Sequence, residues 1–289
     1  MKRDTYVDSF ISIGLPVYNG ADSIKEAIGS IIAQSFNNWE LIVSDNNSSD
    51  STVEIVEEFA KLDKRISLYK QKENIGMYPN FHFVLKKSKG KYFHWIGADD
   101  QRSTNFLQDN FSFLNNNPDF VSSCSEKFFG SVNNSQTSNV NFALDQLSVQ
   151  DRIKYFLGNA WQSHSIYYSV IRTELIKECK FLGENFLAHD WIIDLFLVRH
   201  GKVALQTKSY IILGEKGISR TNPFKQFRTN WIEGLFPLYT FHKKFNILID
   251  KLNFIDKCVL TFKVIVLHSQ LIKIRIVVFI KKNVLKKKY

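Results

Sequence analysis

Cysteine is scarce in this chain: Cys124, Cys179 and Cys258 stand far apart, odd in number and in no metal-ligand spacing. Such a set argues against a disulfide framework and fits a reducing cytosol. The first ten residues, MKRDTYVDSF, lack the apolar stretch of a signal peptide, so the expected location is cytoplasmic. No apolar run approaches the roughly 20 residues needed to span a bilayer. The turn PVYNGADS lacks G-x-G-x-x-G, which argues against a dinucleotide-binding oxidoreductase, and no G-x-x-x-x-G-K-[ST] stretch supports a P-loop NTPase. No internal repeat is present.

What the chain does have is enough apolar material for a large core: 289 residues, 44% hydrophobic. That length suits an α/β domain with an added subdomain and tail. Its formal charge of +10 is unevenly spread. Residues 251–289 hold nine lysines and Arg275 against Asp256 alone, so the preceding 250 residues are close to neutral. The basic feature is therefore a tail rather than the whole molecule.

The first half alternates strand and helix patterns. FISIGLP at 10–16 is an apolar, β-branched strand closed by proline, and Ile24, Ala27, Ile28, Ile31 and Ile32 then recur at helical spacing behind Asp22, a potential cap. ELIVSD at 40–45 reads as a second strand, followed by a helix carrying Val53, Val56, Phe59 and Ala60. ISLYK at 66–70, a helix over 80–88 and a strand at 91–97 continue the series. Such alternation implies right-handed crossovers and a mainly parallel sheet flanked by helices.

Ligands of open α/β sheets bind beyond the carboxyl ends of the strands. Three polar clusters occupy such ends here, PVYNG, DNNSSD and ADD, and should converge. Asp99 and Asp100 end an apolar run, where carboxylates are costly unless they meet solvent, partners or a cation; a divalent metal with a phosphate ligand meets that need. The plainer reading makes one of them the cap of the helix that carries Phe106 and Leu107.

Taken together, PVYNG at 16–20, WELIVSDNNSSDST at 39–52, ENIGMYPN at 73–80 and GKYFHWIGADD at 90–100 resemble the family-2 glycosyltransferases in order and spacing. The resemblance covers about residues 9–220 and is most specific in the first half. It implies a GT-A fold over residues 1–223, with a nucleotide-binding half at about 9–104, an acceptor half at about 105–223 and a helical basic extension at 224–289. It further implies a nucleotide-diphosphate sugar donor, most readily a UDP-sugar, and a Mg²⁺ or Mn²⁺ cofactor. The implied donor site comprises Pro16, Val17, Tyr18, Asn19, Asp45, Asn46, Asn74, Gly76, Asp99 and Asp100. Asn46 departs from the family's second aspartate, which bonds the uridine base; a carboxamide both donates and accepts, so base pairing is retained while uridine selectivity is left open. Gly97 replaces the first aspartate of D-x-D-D. Asp99 is then the metal ligand, with Asp100 a second ligand or a contact to the ribose or to the ligands themselves.

Transfer needs a base for the acceptor hydroxyl. The resemblance places it at Asp190 in LAHDWIIDLFLVRHGKVAL; the alternative makes Asp190 a helix cap and Trp191 a core residue. Weaker candidates are Tyr18 for base stacking, His164 and His189 on the acceptor side, and Lys216 and Arg220 for the diphosphate. WQSHSIYYSVIR at 161–172 matches a segment that lines the acceptor site in the family, SVNNSQTSNVN at 131–141 reads as a polar loop or lid, and Ser148 with Asp151 resembles a capping box. The implied reaction is an inverting, metal-dependent transfer to a surface glycan or lipid-linked oligosaccharide. A nucleotidyltransferase of sugar activation is the enzymatic rival, although its glycine-rich basic first loop is missing. A basic membrane or nucleic-acid adaptor is the other, and charge confined to the tail speaks against nucleic acid. For the tail itself two readings stand: peripheral attachment to the anionic inner face of the plasma membrane, or a helix packed on the domain with solvated lysines.

Overall fold

The computed structural model describes residues 7–130, 143–162, 164–214 and 231–283. Its centre is an eight-stranded sheet in the order β3-β2-β1-β4-β7-β6-β8-β5. The strands are β1 (Val7–Val17), β2 (Trp39–Asp45), β3 (Ile66–Lys70), β4 (Gly90–Trp95), β5 (Gln101–Arg102), β6 (Phe120–Phe129), β7 (Val170–Arg172) and β8 (Lys202–Leu213). β3, β2, β1 and β4 are parallel; β7 runs against both β4 and β6, β6 is parallel to β8, and β5 closes the edge antiparallel to β8.

Helices α1 (Ile24–Ile32), α2 (Thr52–Leu62) and α3 (Met77–Lys87) are the crossovers of the parallel half. Apolar alternation decides which sheet face each helix covers. Ile11, Ile13, Leu15, Leu41, Val43 and Tyr92 point into one core with α1, α2 and α4 (Phe106–Asn116). Ile42, Phe93 and Trp95 point into the other, with α3, α5 (Val149–Asn159), α6 (His164–Tyr167), α7 (Thr173–Lys177) and α8 (His189–His200). Gly14 is fixed by this packing, since a Cβ there would lie 2.5 Å from Val84 Cγ2 and 2.7 Å from Phe93 Cζ.

The strand and helix expectations hold with shifts that have local causes. Pro16 does not end β1: pairing with β2 runs on to Val17 opposite Asp45, while pairing with β4 stops at Gly14 opposite Trp95. A proline lacks the N–H that the next bond to β4 would need, so it ends one ladder and spares the other. Helix α1 starts behind Ser23, which makes no side-chain cap bond, rather than behind Asp22. Helix α3 starts three residues ahead of its expected position, because Gly76 at φ 90° turns the chain and Pro79 sits in the first turn, where no N–H is missed. The Ser148 cap forms as expected: its Oγ accepts from the Asp151 N–H at 3.0 Å and donates to the Asp151 carboxylate at 2.7 Å.

The C-terminal region is helical, as expected: α9 (Ile232–Leu235), α10 (Tyr239–Leu248) and α11 (Phe254–Asn283). Leu238, Phe241, Phe245, Leu260, Val264 and Leu267 enter the same core as α5 and α8. Among the described residues no helix is long and apolar enough to cross a membrane.

Candidate active site

The three polar strand ends do converge, and hydrogen bonds stitch the first two together. Asn19 takes a left-handed turn at φ 51°, a conformation asparagine tolerates, and its N–H donates to Ser48 Oγ at 2.8 Å while its Oδ1 accepts from the Ser49 N–H at 2.8 Å. The N–H of Gly20 donates to Thr52 Oγ1 at 2.9 Å, and that of Ala21 to Asp50 Oδ2 at 3.0 Å. Burial opposes the charge of Asp50, but the hydrogen bonds from Thr52 and the Ala21 N–H outweigh it and hold the carboxyl below its ordinary range. A Cβ on Gly20 would stand 3.3 Å from the Ala98 methyl, so the third turn lies directly against the first. Pro16 and Val17 are buried strand residues that set this turn, whereas Tyr18 is 52% exposed on its rim.

Asp45 ends β2 almost wholly buried. Its Oδ2 accepts from the Ser48 N–H at 3.0 Å, and its Oδ1 is buried with no protein hydrogen-bond partner. A buried orphan acceptor costs about 1–3 kcal/mol unless something supplies a donor or a cation. The neighbouring Asn46 is committed to the protein. Its Nδ2 donates to Asn74 Oδ1 at 2.9 Å and to the Gly76 carbonyl at 3.3 Å, and its Oδ1 accepts from the Ile75 N–H at 2.9 Å. That fixes the amide orientation and leaves one lone pair on Oδ1 as its remaining capacity. Asn74 and Gly76 are thus joined to the site through Asn46, with Asn74 Oδ1 also accepting from the Gly76 N–H at 2.9 Å.

The two aspartates of the third turn part company. Neither caps a helix: α4 begins at Phe106 behind Asn105, with β5 in between. Asp100 is buried and held on all sides, accepting from the N–H groups of Gly97 and Gly214 at 3.1 Å each and facing Arg102 Nη2 at 3.6 Å. Arg102 is itself fully buried. Its Nε donates to His94 Nε2 at 2.9 Å and its Nη2 to the Trp95 carbonyl at 3.3 Å, while His94 Nδ1 lies 3.3 Å from the Ser169 carbonyl. Burial first, then the Arg102 charge, pushes His94 well below its ordinary pKa, so the imidazole is neutral, with Nδ1 donating and Nε2 accepting. Asp99 is half-buried beside this lock. Gly97 and Gly214 make room for it: a Cβ on Gly97 would lie 3.0 Å from Asp100 Oδ2 and 3.3 Å from Asp99 Oδ1, and one on Gly214 would lie 2.2 Å from Asp99 Oδ2.

Asp190 joins from the other half of the chain. It is the second residue of α8, behind Ala188 in a left-handed turn at φ 64°, so it does not occupy the cap position. Burial raises its carboxyl above the ordinary range, partly offset by the backbone N–H groups of Trp191 and of Asp190 itself. Tyr168 links the two halves. Burial first, then the charge of Asp100, raises its phenol far above the usual value, and Asp99 and Asp190 add to the same field while Arg102, centred 5.8 Å from the ring, opposes it.

His189 is a core residue. Its ring stacks on Tyr78 at 3.9 Å, its Nε2 lies 3.1 Å from the Phe181 carbonyl, and burial lowers its pKa to about 3. Trp191 is buried against Trp161 at 5.1 Å and against Phe241, as a core residue would be. His164 begins α6, but its side chain is outside the described residues, as are Lys216, Arg220 and the 131–141 loop. Sequence reasoning missed Arg102, His94, Gly214 and Tyr168. Of these only Tyr168 lay in a segment already assigned to the acceptor side.

Among the described residues no three His, Cys, Asp or Glu side chains cluster as a metal set. Mg²⁺ and its analogues are commonly held by one or two carboxylates plus substrate phosphates, a donor set that Asp99 fits.

A family model described as glycosyl transferase family 2 matches residues 12–178. An uncharacterized glycosyltransferase of Rickettsia typhi is 37% identical over 126 residues, 43% of this chain and 38% of that protein. The putative teichuronic acid biosynthesis glycosyltransferase TuaG of Bacillus subtilis is 30% identical over 104 residues, 36% of this chain and 41% of its own length. These matches thus span well under half of either relative. S. aureus TarS 1-349 in complex with UDP-GlcNAc has a similar fold, with TM-score 0.63 at 16% identity over 83% of this chain and 65% of that one. Mannosyltransferase PcManGT of Pyrobaculum calidifontis, in complex with GDP-Man and Mn2+, gives TM-score 0.53 at 16% identity over 72% and 58%.

Proposed function

We propose that this chain, which belongs to glycosyl transferase family 2, moves a sugar from a nucleotide-diphosphate donor to a hydroxyl of a glycan or lipid-linked oligosaccharide by an inverting displacement. The observation that carries the reading is the convergence of the strand ends: the 16–20 turn is bonded to the 45–52 turn and lies against Ala98, next to Asp99, and the start of α8 packs on the start of α3 through the His189–Tyr78 stack at 3.9 Å. A leaving diphosphate and an attacking hydroxyl each need a charge managed on their own side of the sugar; in this reading Asp99 serves the first and Asp190, with its raised carboxyl, the second. The fold shared with proteins solved with UDP-GlcNAc and GDP-Man supports a nucleotide-sugar donor without choosing the base.

In this reading the turn at 16–20, bonded to the 45–52 turn, frames the nucleotide, and Asp45 Oδ1 is the buried acceptor offered to a donor group on the base or ribose. Asn46 holds the 74–76 loop in place and offers the base its remaining lone pair. Asp99 faces the diphosphate and would hold Mg²⁺ or Mn²⁺. When bound, that ion neutralises charge on the departing phosphate. Asp100 is a positioning residue: Arg102 and two backbone N–H groups fix it, and with it the turn that aims Asp99. Asp190 accepts the proton of the acceptor hydroxyl, a task favoured by a carboxyl whose pKa lies above the ordinary range. TuaG is described as a teichuronic acid biosynthesis glycosyltransferase, which makes a cell-envelope polymer the acceptor class to try first.

Measuring nucleoside diphosphate released from a panel of nucleotide sugars tests this directly. Asp190→Asn should lower kcat by about 10²-fold or more while leaving donor affinity unchanged. Near-normal turnover by that variant would remove Asp190 from the chemistry.

A further inference from the structure

Helix α11 is apolar on two opposite faces, and only one of them is covered. Leu260, Val264, Leu267 and Leu271 recur every three or four residues and are buried in the core shared with α5 and α8. On the opposite side the same periodicity lines up Ile255, Val259, Phe262, Ile265 and Val266, exposed by 73%, 43%, 64%, 52% and 39%. Between Ile255 and Val266 no charged residue falls on that row, and the exposed Lys273 continues it two turns on. A helix that is apolar all round is ordinarily buried all round, so this face calls for a non-aqueous partner.

Aromatic side chains border the row on both sides. Trp161, 41% exposed, donates from Nε1 to Gln270 Oε1 at 3.0 Å on one margin. Phe236, 52% exposed, packs on His268 at 5.6 Å on the other, where Arg275 Nη1 donates to the Gly234 carbonyl at 2.8 Å and ties the α9 turn alongside.

We propose that the outer face of α11 is an interfacial docking surface for an anionic lipid bilayer, with the helix lying in the membrane plane. Charge selects this occupant over a second copy of the chain. Residues 251–289 carry ten cationic side chains against one acidic, so two such faces brought together would repel, whereas an anionic leaflet attracts each lysine by about 1 kcal/mol. The residue types match the depth: Phe262, Val259 and Val266 enter the headgroup boundary, Trp161 and Phe236 sit at its edge, and Lys273, exposed on the same face, extends its stem to the phosphates. This goes beyond the sequence expectation, which paired the lysines with the apolar residues of the tail and assigned them to no face. It is also independent of the transfer reaction, because docking is measured without donor or acceptor.

The test is co-sedimentation of the full chain with phosphatidylglycerol vesicles and with phosphatidylcholine vesicles, at low and high salt. The full chain should bind the first, bind the second far more weakly and be partly released by salt. Phe262→Gln combined with Val266→Gln, both at exposed positions, should weaken phosphatidylglycerol binding by about tenfold or more without changing thermal stability. Unaltered binding by that double variant would overturn the apolar face. So would a full chain that ignores phosphatidylglycerol and instead forms a dimer, in sedimentation velocity, that the double variant loses.

Discussion

Burial raises the carboxyl of Asp190, the base in the transfer we propose. As a base it works only when ionised, and its raised pKa moves the acid limb of kcat/KM to higher pH than an ordinary aspartate would give. The same shift has a stability sign. A carboxyl whose folded-state pKa exceeds its unfolded value contributes stability below the unfolded value, and loses it as pH rises through the folded one. Asp190→Asn, neutral at every pH, should therefore unfold at a higher temperature than wild type near neutral pH and show no such advantage below the ordinary carboxylate range. A variant that is less stable at neutral pH would mean that the ionised form is held by partners. At this scale the positions of Asp99, past a strand end, and of Asp190, in the first turn of a helix, were legible from their motifs. Arg102 and His94 were not, because a buried arginine is defined by what surrounds it, and its partners Asp100, Trp95 and His94 carry no spacing that announces a bond.

At the scale of elements, the third turn is packed closely on both sides. A Cβ on Gly97 would press on the two carboxylates at 3.0–3.3 Å, and Gly214, just past β8, has no room for one against Asp99, whose Oδ2 would lie 2.2 Å away. Gly214→Ala would place a methyl within van der Waals overlap of both the Asp99 side chain and its backbone carbonyl. The expected result is a folded protein, with its β6–β8 pairing intact, that has lost metal-dependent nucleotide binding. Normal nucleotide affinity in that variant would show that Asp99 does not face the diphosphate. The parallel half of the sheet was legible because each strand and helix there has its own period and turn. The antiparallel half was not: β7 has three residues and β5 two, too short for any alternation to register, and they are placed by pairing with β4, β6 and β8.

At the scale of the whole molecule, the C-terminal helices share a core with the domain, as one of the two sequence readings of the tail has it. The expected boundary at 223–224 separates a family-like domain from a basic tail, yet Leu238, Phe241, Phe245, Leu260, Val264 and Leu267 are buried against α5 and α8. Burying each such side chain is worth about 1.5–3 kcal/mol, and together they rival the whole stability of a typical domain. A chain ending at residue 223 should therefore aggregate or unfold on expression. A soluble, cooperatively folding 1–223 fragment would show that the two parts are independent. Charge and composition marked the tail as different, but not where its inner face would go, since the same helix carries apolar residues on both sides.

The central claim is that one metal-dependent nucleotide-sugar site is assembled from the three strand ends. A thermal-shift panel of nucleoside diphosphates, with and without Mn²⁺, run on the wild type and on Asp99→Asn, tests it most directly. The account predicts that at least one nucleoside diphosphate raises the wild-type melting temperature only when Mn²⁺ is present, and that Asp99→Asn melts like the unliganded wild type but gains nothing from the pair. Equal stabilisation of both proteins, or a wild type indifferent to every nucleotide with Mn²⁺, would contradict it.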